Sequence, residues 1–260
     1  MINQKIITTM TSKKNKLSFF VFTLMSLNTI LAQTSLKLNF ENVFGDKPVQ
    51  FGNEYVTDQG ESVKITLLNY FISNIKLTKS DGSTFSIPVD NSYFLVRQDA
   101  PESKIITLDV PKGKYKGVSF MIGVDSVRNT MSADKRTGVL DIGAAARDMY
   151  WAWHSGYIFF KLEGKSSASP DSFKNSFFYH IGGYGGYDTK TINNIKIKTS
   201  LFSKTIKTKK GKSADIAVKV DIKKVFDGPF PLSIAKSPSV MWGPVSVSIA
   251  DNYANTFELK

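Results

Sequence analysis

The chain holds two histidines in 260 residues, and each stands in an aromatic-rich segment. His154 follows Trp151 and Trp153 in Met149-Tyr150-Trp151-Ala152-Trp153-His154-Ser155-Gly156-Tyr157, and His180 closes Phe177-Phe178-Tyr179-His180 ahead of Ile181-Gly182-Gly183-Tyr184. There is no cysteine, which excludes disulfides, thiolate nucleophiles, iron–sulfur clusters and cysteine-based zinc sites. For a soft or borderline metal His154 and His180 are the obvious ligands, and two imidazoles suit Cu(I), Cu(II) or zinc. The plainer reading of an isolated histidine in a β domain is a hydrogen-bonded core residue, and of the tryptophans a core or rim aromatic.

Side-chain direction sharpens the expectation. On a strand running through Phe160, His154 shares a face with Gly156, Ile158, Phe160 and Leu162. By the same rule His180 shares a face with Phe178 and Gly182. Both are expected on, or at the mouth of, the apolar side, each with a glycine two residues on that leaves room for a close neighbour. Glu163 has the opposite parity and reads as an exposed strand-end carboxylate. Asp125, Asp134, Asp141 and Asp148 lie in or beside one long irregular stretch, where Asp125 and Asp141 are candidates for a loop-bracing calcium; the spacing matches no calcium motif, so solvated loop carboxylates are the simpler reading. No Gly-x-Ser-x-Gly elbow, His-Glu-x-x-His or phosphate-binding loop is present, so no enzymatic activity is expected.

The elements that must position these residues are strands. Leu36-Leu38-Phe40, Val63-Ile65-Leu67, Val118-Phe120-Ile122, Ile158-Phe160-Leu162, Ile216-Val218-Val220 and Val245-Val247-Ile249 alternate with polar neighbours. Asp81-Gly82, Pro111-Lys112-Gly113 and Asp227-Gly228-Pro229 punctuate them. The pattern predicts an all-β fold: a single antiparallel β-sandwich domain with long loops and at most short helices. The best helical candidate is Ile142 to Asp148. The irregular stretch from about Asp125 to Tyr150 leads into Trp151, which favours a functional loop.

Lys13, Lys14 and Lys16 precede an uncharged, mainly apolar run from Leu17 to Leu31 and a small residue at Ala32. That is the layout of a secretory signal peptide over residues 1–32, followed by a mature domain at 33–260 with no membrane span. The expected location is the bacterial periplasm or cell surface. The leader holds four lysines and no acids, so its removal lowers the net charge from +12 to +8. Lys204, Lys207, Lys209, Lys210 and Lys212 read as a solvated hairpin tip, since nucleic-acid binding would interleave aromatics with the charges; no nucleic-acid partner is expected.

Several segments together resemble the MbnP-like family of exported copper-binding proteins. They are Leu36-Lys37-Leu38-Asn39-Phe40, Asn69 to Leu77, Phe120 to Asp125, Met149 to Gly164, His180-Ile181-Gly182-Gly183 and Ile249-Ala250-Asp251-Asn252-Tyr253. The resemblance implies a β-rich copper-binding domain in which histidines and a tryptophan oxidised to kynurenine form the site. It makes His180 and His154 the candidate metal ligands and Trp151 and Trp153 the candidate modified tryptophans. It further implies a MauG-like di-haem peroxidase and an outer-membrane receptor as partners. The expected function is copper acquisition, storage or delivery. The alternative is a metal-free carbohydrate- or surface-ligand-binding module with Tyr157, Tyr184, Tyr187 and Trp242 as stacking platforms.

Overall fold

The computed structural model describes residues 34–153 and 156–260; the leader segment and His154 fall outside them. Fifteen strands appear in chain order. The first seven are β1 (Ser35–Phe44), β2 (Lys47–Pro48), β3 (Tyr55–Val56), β4 (Ser62–Lys79), β5 (Thr84–Ser86), β6 (Tyr93–Arg97) and β7 (Ile105–Asp109). Then come β8 (Gly113–Ile122), β9 (Tyr150–Trp151), β10 (Gly156–Lys165) and β11 (Ser176–Gly182). The last four are β12 (Lys196–Thr208), β13 (Ser213–Asp221), β14 (Ser239–Val240) and β15 (Phe257–Leu259). Three helices, α1 (Ser126–Thr130), α2 (Lys223–Asp227) and α3 (Pro244–Ala254), are short.

The strands form two sheets, and the β-sandwich expected from the alternation is borne out. One sheet has the order β15-β13-β1-β2 with β7 also on β1; the other runs β12-β8-β4-β10-β11-β14, with β3, β5 and β6 on β4 and β9 on β10. Pairing is mainly antiparallel, but β1 runs parallel to β13 and β11 parallel to β14. Leu36, Leu38 and Phe40 of β1 meet Tyr70, Phe120 and Phe160 of the larger sheet in the main core. A second cluster forms around Phe71, Tyr157 and Phe159 and includes Leu140, Ala146 and Met149 from the long connection after β8. Two clusters explain why Leu68–Ser73 and Gly156–Phe160 are buried without interruption, because a strand covered on both faces loses its alternation.

Three local expectations are corrected. Residues 245–249 lie in α3, not a strand: Pro244 sits in its first turn after Gly243 at φ +87°, a start suited to a helix. Residues 142–148 form successive turns rather than a helix. The lysine-rich segment does not cap a hairpin. β12 pairs with β8 and β13 with β1, so the turn at 209–212 carries the chain from one sheet to the other.

Candidate functional site

β11 displays Phe177, Tyr179 and Ile181 to the core and leaves Phe178 and His180 half-buried on the opposite face. This reverses the inward placement expected for His180. Three consecutive aromatics, Phe177-Phe178-Tyr179, erase the alternation that would have given the parity, because both faces of the strand are apolar. The neighbouring strand is in register with Lys161 opposite His180 and Glu163 opposite Phe178. The His180 imidazole Nε2 lies 2.8 Å from Glu163 Oε1, and Lys161 Nζ is 3.6 Å from the same oxygen while donating to the Asp148 carbonyl at 2.9 Å. Glu163 is thus a partly buried partner of His180, not a free strand-end carboxylate. Composition alone gave no signal for it; only the true parity of His180 would have.

The tryptophans approach the same strand. A Cβ on Gly182 would come within 2.8 Å of Trp151 Cζ3, so the indole lies directly over the Gly182 backbone. Gly182 is two residues beyond His180 on the same strand face, a separation of roughly 7 Å. Trp151 is 5% exposed and Trp153 64%, with their ring centroids 5.2 Å apart and tilted by 38°. Trp242 packs on Gly183 next along. The chain therefore gathers His180, Glu163, Trp151 and Trp153 near one end of β11. His154, also a candidate ligand, lies outside the described residues.

The connection from Asp125 to Met149 is held by specific bonds. Arg97 forms a two-pronged pair with Asp148, at 2.6 and 3.0 Å, and donates to the Ala145 carbonyl. The buried Arg136 donates to the carbonyls of Met131 and Asn129 and lies over the rings of Tyr150 and Tyr157 at 4.9 and 5.3 Å. Asn129, also buried, bonds the Val124 carbonyl and accepts from the Tyr157 amide. The two calcium candidates make hydrogen bonds within the protein. Asp125 accepts from Asn74, Tyr93 and the Arg128 amide at the start of α1, and Asp141 accepts from the Gly143 amide. Among the described residues no three His, Asp or Glu side chains gather into a metal cage.

Of the proposed stacking tyrosines, Tyr157 is fully buried and its hydroxyl donates to the Leu140 carbonyl, so it cannot meet a sugar. Tyr187 is exposed, and Tyr184 and Trp242 are partly covered.

The hydrogen bond from His180 holds the Glu163 carboxyl below its ordinary value of 4.5, with Lys161 adding to the effect and burial opposing it. A depressed carboxylate contributes stability that is complete above the unfolded value and is lost as pH falls through the folded one. The urea midpoint of the wild-type protein should therefore drop between pH 6 and pH 3 by more than that of Glu163→Gln. Parallel acid dependence in the two proteins would remove this pair from the account.

The MbnP family model matches residues 33–242. No curated protein matches the chain. The structure of MbnP from Methylosinus trichosporium is similar, with a TM-score of 0.59 at 15% identity, covering 86% of this chain and 97% of that one. That likeness establishes a shared fold. The segment Ile249 to Tyr253 lies beyond the matched region. Among the described residues no helix is long and apolar enough to cross a membrane.

Proposed function

Because the chain belongs to the MbnP family, we propose that it is an exported copper-binding protein serving metal acquisition, storage or delivery, without turnover of its own. The observation that carries the reading is the bond between His180 Nε2 and Glu163, with Trp151 laid over Gly182 on the same strand face. Metal-binding histidines commonly give one ring nitrogen to a carboxylate, which fixes the ring and makes the other nitrogen a better donor. Here Nδ1 of His180 is the nitrogen left for copper. One imidazole does not make a tight site, so further donors must come from the tryptophan segment. Kynurenine at Trp151 or Trp153 would supply an aniline nitrogen and carbonyl oxygens where indole has only an N–H, and His154 is the remaining imidazole. Trp153, exposed and packed at a tilt against Trp151, offers a modifying di-haem enzyme a way to the pair. The export of the chain and an outer-membrane receptor as partner belong to the same proposal.

A competitive Cu(I) titration of purified protein beside His180→Ala tests it. Wild-type protein should bind one equivalent, and the variant should lose at least tenfold in affinity while melting within a few degrees of wild type. Equal affinities would remove His180 from the site. Peptide mass spectrometry over residues 149–165 reads the tryptophan modification separately.

A further inference from the structure

A second cleft lies on β4, β8 and β12, built from residues that the copper site does not use. Its volume is about 390 Å³, within the ~300–1,000 Å³ usual for small-molecule sites. The cleft opens where β4 bulges. Ser73 pairs with Met121 and Lys76 with Ser119, so Asn74 and Ile75 together oppose the single residue Phe120. Asn74 takes φ +51° there and anchors itself on Asp125. Such an extra residue bends the strand and re-aims its neighbours. Ile75, Ile87 and Phe120 underlie the cleft but are buried, the Phe120 ring being turned into the main core against Phe40 and Phe257. Val89 and Ile197 flank the cleft and are strongly exposed.

The charged residue that lines this cleft is a cation. Lys76 lines it and makes no ion pair among the described residues, and Lys116 and Lys114 follow on the outer side of β8. The two nearby carboxylates are already engaged: Asp90 by Arg128, and Asp125 by Asn74, Tyr93 and the Arg128 amide. An apolar trough with an unpaired ammonium at its edge is complementary to a molecule with an apolar chain and an anionic end. We propose that this cleft binds a single-chain anionic amphiphile of the fatty-acid class. The chain lies along Val89, Met121 and Ile197, with the acid group at Lys76. This site is separate from the copper reading and does not depend on it.

Displacement of the fluorescent fatty acid cis-parinarate from purified, metal-free protein tests the proposal, with dodecanoate, dodecanol and dodecyltrimethylammonium as competitors. Saturable binding at one site is expected, with dodecanoate at least tenfold stronger than the cationic amphiphile. Lys76→Glu should weaken dodecanoate at least fivefold and leave dodecanol nearly unchanged. Ile197→Asp should weaken both. Both positions are exposed, so a melting temperature within a few degrees of wild type shows that each variant remains folded. Wild-type affinity in both variants, equal binding of the cation and the anion, or uptake that does not saturate would each overturn the site. Binding to phosphatidylglycerol vesicles without displacement by soluble dodecanoate would also overturn it, in favour of a membrane-facing surface.

Discussion

Gly182→Ala is expected to destabilise the protein by about 3 kcal/mol, the upper part of the range for forcing atoms into a packed site. For a domain of this size that is a fall in melting temperature of roughly 6–12 °C. The new methyl group would stand 2.4 Å from the Tyr157 carbonyl oxygen and 2.8 Å from the Trp151 ring. The carbonyl belongs to a strand buried in the second core, so it has little room to retreat. Trp151 must therefore be pushed off the strand or β10 and β11 must separate. Either movement changes the surroundings of the indole, so tryptophan fluorescence should shift along with the melting temperature. Gly113→Ala is the matched control, since its methyl group would meet only ordinary contacts of 3.6 Å or more. A Gly182→Ala protein that melts like wild type would show that Trp151 does not rest on this strand in solution.

Phe257→Ala should cost about 3–5 kcal/mol, the usual range for emptying a fully packed aromatic position. The Phe257 ring meets Phe40 of one sheet and Tyr70 and Phe120 of the other, mostly edge to face, at centroid distances of 6.4, 5.5 and 5.7 Å. It is 1% exposed. Its removal leaves a void where the two sheets meet, and neither sheet can close the gap without moving the other. Equilibrium urea unfolding measures this as a lower midpoint with an unchanged slope. A loss below about 1 kcal/mol would mean that β15 frays from the sandwich and that residues 243–260 contribute little to the core.

The strands were legible wherever one face meets water or wherever the chain alternates cleanly, as in Leu36-Leu38-Phe40 and Ile216-Val218-Val220. β4 and β10 were legible through the alternation of Val63-Ile65-Leu67 and Ile158-Phe160-Leu162, but the second core built by the 125–149 connection, which buries both faces of parts of these strands, was not. Val245-Val247-Ile249 misled because spacing two is a strand pattern, whereas α3 buries Ser246, Ile249, Ala250 and Tyr253, a helical stripe that the strand reading cuts across. Gly243-Pro244 is the helix-start signal in that stretch. At the site, residue types pointed to His180, Trp151 and Trp153, and the structure brings these three to the end of β11. The direction of His180 was misread because Phe178 was assigned to the core for being aromatic. Glu163 was missed as a consequence, since a partner on the outer face cannot be sought for a histidine placed on the inner one. The bonds to Asp125 were not legible either, because nothing in the sequence links it to Asn74 and Tyr93, both distant in the chain.

The parallel pairing of β1 with β13 has a bearing on when the protein can acquire its form. Leu36 lies beside Ala214 and Val43 beside Asp221, so the first strand of the domain completes its sheet only with residues near the far end of the chain. Its other edge waits for Ile105–Asp109. Contacts so remote in sequence carry a large loop-closure cost and form late. A chain emerging from its N-terminus can assemble local hairpins, but it cannot seal the smaller sheet until nearly all of it has been delivered.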